Sequence, residues 1–338
     1  MLHVEAPEDN FTWSGTAGYS NRGSKEPLTA DQPGKIGSIA KTFVAAAILR
    51  LIEMNRLELS QPITRLVHER TLMVLEENEY PVDSITIAHL LSHKSGLPNI
   101  TTAKWKEKER NDLRYRWTRD EQLHDALRML DRKPVGSEWN HSDVNYLLLS
   151  EIIEQITDTS FYLAMRELLK FDELGMDHTW FYTLEPDPKG TKPRIHQYKE
   201  SRNWASTYTD GPTWGLYGPS GIYAPPENLV RFSHALFNHK LFDHEETLDM
   251  MLSDLQTNNG ITTEYIHHDS IQMNSFMGIE HYKTNGINAY GHMGYWGTWM
   301  AYFPEENVHA SLYVLNGDAM DQFEMKLMRE VLDIVNNP

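Results

Sequence analysis

Two kinds of hydrophobic period occupy different parts of this chain, and their order leaves few architectures open. Near the start, short alternating stretches such as Phe11-Thr12-Trp13-Ser14-Gly15 lie between turn signals at Pro7-Glu8-Asp9-Asn10 and Asn21-Arg22-Gly23. That pattern predicts two edge-type strands within residues 3–30. Alternation returns from about Asn274, where Met277–Glu280, Ala289–Gly294, Trp299–Phe303 and His309–Leu315 each read as strands divided by turn residues. Between these groups the period is helical, most strongly in the apolar run Phe43–Leu49, in Leu147–Glu154, and in Phe161–Leu169. Residues 104–133 read as a charged, solvated helix whose buried face is Leu123, Ala126, Leu127 and Leu130, and Asp321–Val335 as a closing amphipathic helix. The simplest way to bury strands from both ends is one antiparallel sheet that joins them, with helices packed on it and a helical region inserted.

Composition narrows the functions available. With 338 residues, 40% hydrophobic and 11% aromatic, the chain is long and apolar enough for two domains or one with a large insertion. A net charge of −17 argues against nucleic acid and anionic membrane surfaces, which would repel it. The absence of cysteine removes disulfides, thiolate catalysis and cysteine metal sites. Met1 is followed by neither a basic segment nor an apolar one, so no signal peptide is expected; the chain as it stands reads as cytoplasmic, with export compatible if a leader is missing. No apolar run approaches a bilayer-spanning length.

Chemistry is concentrated in Gly37-Ser38-Ile39-Ala40-Lys41-Thr42-Phe43, which opens the most apolar helix. Ser38 and Lys41 are three apart and share a helix face. A serine hydroxyl attacks well only when something takes its proton, and an amine can do so once burial disfavours its charged form. The plainer alternative is a helix-capping serine beside a solvated lysine. Further on, His89 and His93 are spaced four apart, but Leu90 stands where a zinc protease needs Glu, so both are expected to be structural. The irregular stretch from Pro186 to Gly221 carries Trp204, Tyr208, Trp214 and Tyr217, which suggests a pocket wall, with simple packing as the alternative.

Four stretches in this order carry a resemblance: Gly37–Phe43, Ala88–Pro98, His141-Ser142-Asp143 and Gly291-His292-Met293-Gly294. With them the chain resembles the serine β-lactamase and penicillin-binding-protein superfamily, on the branch of class C β-lactamases, D-alanyl-D-alanine carboxypeptidases, D-aminopeptidases and related esterases. The resemblance runs from about Trp13 to about Val335. It implies an α+β fold of the β-lactamase/transpeptidase type. Residues 1–66 and 270–338 would form a discontinuous sheet domain, residues 67–269 a mainly helical one, and the active site would lie in the cleft between them.

The resemblance also implies roles. Ser38 would attack a carbonyl and Lys41 would hold or take its proton, while the backbone N–H groups of Ser38 and Tyr295 would bind the oxyanion. His292, Gly294 and Asp143, with Trp214 and Tyr217 from the aromatic loop, would contact substrate. Relatives generally carry Tyr where this chain has His141, so His141 is the expected general base, with an ordinary pKa near 6.5 against about 10 for tyrosine. The implied activity is hydrolysis of a small ester, amide or D-amino-acid-containing peptide, with no cofactor or metal. A penicillin-recognising D,D-carboxypeptidase or β-lactamase, and a non-catalytic binding or regulatory protein on the same fold, are the alternatives. The oligomeric state is left open.

Overall fold

The computed structural model describes residues 1–99, 112, 115–128, 132–199, 216–253, 272–284, 287–320, 326, 327 and 329–333. Its strands are β1 (Leu2–Ala6), β2 (Phe11–Gly15), β3 (Tyr19–Asn21), β4 (Glu26–Pro27), β5 (Gly34–Lys35), β6 (Trp180–Phe181), β7 (Ile222–Ala224), β8 (Gln272–Ser275), β9 (Glu280–Thr284), β10 (Ile287–Gly294), β11 (Thr298–Phe303) and β12 (Val308–Tyr313). Its helices are α1 (Ala40–Glu53), α2 (Glu69–Glu77), α3 (Ile87–Leu91), α4 (Arg119–Leu127), α5 (Asp143–Thr157), α6 (Phe161–Leu168), α7 (Pro226–Phe237) and α8 (Glu245–Leu252). Seven strands pair antiparallel in the order β2-β1-β12-β11-β10-β9-β8. Strands from both chain ends therefore share one sheet, with Leu2 beside Leu312, as the alternating patterns predicted. Among the described residues no helix is long and apolar enough to cross a membrane.

α1 is buried from Ala40 through Leu51, as expected of a helix apolar on every side. It packs against α5, α6 and α8, and Phe43 stacks on Phe232 with ring centroids 3.7 Å apart. Burying one such ring contributes roughly 1.5–3 kcal/mol. A second apolar cluster holds Val4, Trp299, Phe303 and Leu312 of the sheet together with Val331 and Leu332 near the chain end.

Some elements differ from the sequence reading. Ile63–Arg65 is a single 3-10 turn rather than a helix reaching Val67. Met277-Gly278-Ile279 is a turn between β8 and β9 rather than a strand, because Gly278 takes φ +68° and sits against α1. A β-carbon on Gly278 would lie 2.6 Å from Ala45 Cβ and 2.8 Å from Tyr146 Oη. The charged segment up to Arg110, Leu130, and the aromatic positions Trp204, Tyr208 and Trp214 lie outside the described residues.

Candidate active site

Ser38 sits in a single 3-10 turn, Gly37–Ile39, that runs directly into α1. The helix cap is Ile39, and no side chain bonds the first turn. Ser38 is therefore not a capping serine. Its Oγ instead accepts a hydrogen bond from Lys41 Nζ at 2.9 Å, which is what the three-residue spacing allows.

Lys41 is not solvated either, being 1% exposed. Its Nζ lies 2.8 Å from Asp143 Oδ1 and 3.5 Å from the Pro219 carbonyl oxygen. The expected free amine is thus held between a hydroxyl and a carboxylate. Thr42 fixes the next position by donating to the Gly278 carbonyl at 2.7 Å, which pins the first turn of α1 to the β8–β9 turn.

Asp143, expected on the substrate side, is instead the partner of Lys41. It opens α5, whose start is capped by Ser142: the Ser142 Oγ accepts from Val144 N at 3.2 Å and donates to the Pro98 carbonyl at 2.7 Å. Burial raises the Asp143 carboxyl, but the charges of Lys41 and His141 and the bond from Lys41 outweigh it, so its pKa falls below the usual range.

His141 places Nε2 3.9 Å from Asp143 Oδ1. Its tautomer follows from Asn99. The Asn99 Oδ1 accepts from Asp143 N at 3.2 Å, which turns the amide Nδ2 toward His141 Nδ1, 3.2 Å away. An amide nitrogen only donates, so Nδ1 is the acceptor and the neutral ring carries its hydrogen on Nε2. Burial first, and then the charge of Lys41, push the ring pKa down to about 4, with Asp143 acting the other way. The side chain keeps 39% of its surface open, and water there works against that drop.

His89 and His93 do not converge on a metal. The His89 Nδ1 accepts from Thr86 N at 3.2 Å, in the box that starts α3. His93, at φ +56°, is fully buried against the site. Its Nδ1 accepts from Ser142 N at 3.2 Å and from Asn145 Nδ2 at 2.9 Å, and its ring lies 4.8 Å from that of His141. Burial holds His93 well below the ordinary histidine pKa. Tyr146, a fallback proton donor on sequence grounds, donates to the Leu91 carbonyl at 3.1 Å and is a packing residue.

The strand side approaches through glycines. Gly37 takes φ +60°, and a β-carbon there would lie 2.8 Å from Tyr295 N, so the backbone beside Ser38 meets the start of the β10–β11 turn. Gly294 was expected to make room for substrate. It makes room for protein instead, since a β-carbon would sit 2.0 Å from the Ile36 carbonyl oxygen and 2.1 Å from Thr298 Oγ1. Thr298 donates to that carbonyl at 2.8 Å. Gln197, 1% exposed, joins the same two segments. Its amide accepts from Lys35 N at 2.8 Å and donates to Lys35 O at 3.0 Å and Trp296 O at 3.2 Å. His292 lies on β10, with its Nδ1 3.7 Å from Glu280 Oε2.

Tyr217 is not gathered with these groups. Its ring lies under the Arg119 guanidinium, 4.8 Å away, and packs with Trp180, Tyr182, Leu216 and Tyr223. Asn99, His93, Gln197, Thr298 and Glu280 were not singled out from sequence. Only Asn99 and His93 fall in or beside a recognised stretch, so only they carried a signal.

Comparison with known proteins agrees with this geometry. The family model described as Beta-lactamase matches residues 8–333. A penicillin-binding protein of Bacillus subtilis (strain 168) is 24% identical over 268 residues, covering 73% of this chain and 54% of that protein. Esterase EstB of Burkholderia gladioli is 29% identical over 181 residues, covering 50% of this chain and 44% of the esterase. The chain spans about half the length of the curated relatives it matches. A solved D-amino acid amidase from Ochrobactrum anthropi SV3 superposes with a TM-score of 0.79 at 20% identity, covering 99% of this chain and 93% of the amidase. On a match that covers nearly the whole length, with the fold in agreement, the chain belongs to the beta-lactamase family.

Proposed function

We propose that this protein is a serine hydrolase that cleaves a small ester, amide or D-amino-acid-containing peptide through an acyl-enzyme on Ser38. The observation that carries the proposal is the line of contacts from Ser38 Oγ to Lys41 Nζ at 2.9 Å and on to Asp143 at 2.8 Å. Such a line can move a proton off the hydroxyl and hold the resulting ammonium beside a carboxylate. In the proposed step, Ser38 Oγ bonds the substrate carbonyl carbon while its proton passes to the neutral form of Lys41. The N–H groups of Ser38 and Tyr295 receive the developing oxyanion. Collapse expels the leaving group, which takes a proton from Lys41 directly or through His141, and water then releases the acyl group by the reverse sequence. Substrate would enter a cleft between residues 1–66 with 270–338 and residues 67–269. The names of an esterase and a D-amino acid amidase among the similar proteins are consistent with acyl transfer of this kind.

Labelling tests the proposal. A fluorophosphonate probe is expected to add one adduct, located at Ser38 by peptide mass spectrometry. A fluorescent penicillin separates the finer readings: labelling by both probes favours a penicillin-recognising enzyme, and labelling by the first alone an esterase or amidase. A folded sample that takes neither would be a binding protein.

The role of His141 has a separate signature. A relay needs the uncharged ring, and burial and Lys41 depress its pKa to about 4. Activity is therefore present above the folded pKa and lost as pH falls through it. The acidic limb of kcat/KM is expected well below 6.5 and displaced toward 4, and His141→Tyr should remove it. An acidic limb that is the same in both proteins would take His141 out of the mechanism.

A further inference from the structure

The corner formed by His292 and Glu280 indicates which substrates the proposed Ser38 site prefers, and this inference rests on the hydrolase reading. His292 Nδ1 lies 2.7 Å from the Met293 carbonyl oxygen. A carbonyl oxygen only accepts, so Nδ1 carries a hydrogen and the neutral ring keeps its lone pair on Nε2. Burial keeps the ring neutral by lowering its pKa, and Lys41 adds to that, while Glu280, the Met293 carbonyl and Asp143 oppose it. His292 thus offers an acceptor at the place where many relatives carry a lysine cation.

Glu280 gives the corner its charge. Its Oε2 accepts from Met293 N at 3.3 Å and from the Tyr282 hydroxyl, and lies 3.7 Å from His292 Nδ1. The carboxylate is fixed on β9, and its field reaches His141 and Tyr146 as well as His292. Among the described residues of the site, Lys41 and Asp143 offset each other across 2.8 Å. Lys199, whose Nζ lies 4.7 Å from the Tyr295 ring, is engaged by the Gly317 carbonyl at 2.9 Å and Asp318 at 3.6 Å. The charge left over beside the acceptor is negative.

We infer that the His292–Glu280 corner selects substrates with an ammonium or amine group close to the scissile carbonyl and disfavours those with a carboxylate there. The ammonium donates to His292 Nε2 and is attracted by Glu280, whereas a carboxylate meets a lone pair and a like charge.

The test uses p-nitroanilides of D-alanine and L-alanine, each with the amine free, acetylated or succinylated, at a pH where the free amine is largely protonated. In the wild-type protein kcat/KM should fall in the order free, acetylated, succinylated. Glu280→Gln keeps the shape and the bond from Met293 N but removes the charge, and should lower the free-to-succinylated ratio by about tenfold, as expected for loss of one charge-assisted contact. His292→Lys should shift the ratio further toward the succinylated substrate. A wild type that favours the succinylated substrate, no turnover of the free amine, or a ratio unmoved by Glu280→Gln would each overturn the inference, provided fluorophosphonate still labels Ser38. Loss of labelling in the wild type would strike the hydrolase reading itself.

Discussion

Ser38→Ala lowers kcat on the order of 10⁴-fold or more, the scale seen when the nucleophile of a coupled catalytic group is removed. The expected loss is chemical rather than structural. Ser38 caps no helix, and its removal leaves the contact between Lys41 and Asp143 in place. Thermal unfolding of the variant should therefore match that of the wild type within experimental error. Steady-state turnover of an activated ester, measured with that unfolding curve, makes the check. Retained turnover, or an adduct on the variant, would move the nucleophile to another residue.

Asp143→Ala is expected to be costly in a different quantity. It leaves Lys41, 1% exposed, buried without its carboxylate. Removing one member of a buried pair costs about 3–5 kcal/mol, whereas replacing both with apolar groups of similar size is often close to neutral. Urea unfolding should show that deficit for Asp143→Ala and recover most of it when Lys41→Met is added. The direction with pH follows from the depressed carboxyl. Its stabilisation is present above the unfolded pKa of about 3.9 and is lost as pH falls through the lower folded value. The gap between wild type and Asp143→Ala should therefore narrow only at strongly acidic pH. A deficit below about 1 kcal/mol at neutral pH would mean that the carboxylate does little to hold Lys41, because that is the range of ordinary surface pairs.

What could be read from sequence was what depends on short spacing. Ser38 and Lys41 meet because residues three apart on a helix meet, and strands at both ends showed through alternation. The sheet that joins them followed from the need to bury both groups. What could not be read depends on contacts across long separations. Nothing local marks Gln197 as the amide that ties Lys35 to Trp296, or Glu280 as the neighbour of His292. Asp143 was recognised as a site residue, but its direction was not legible, because only the packing of α5 beside α1 turns the carboxylate toward Lys41. Gly294 was misread for a related reason. A glycine signals close approach, and the sequence does not say that the approaching atom is the Ile36 carbonyl.

Pairing of Leu2 with Leu312 has a consequence for how the protein is made. At about 5–20 residues per second, a ribosome needs roughly 15–60 s to extend the chain from the first of these strands to the last. During that interval β1 and β2 can pair only with each other, and Ser38 emerges long before Tyr295 is translated. Nascent chains stalled before β10 should therefore display the serine without the second N–H donor. Reactivity toward a phosphonate should appear late, as a step when the final strands leave the exit tunnel.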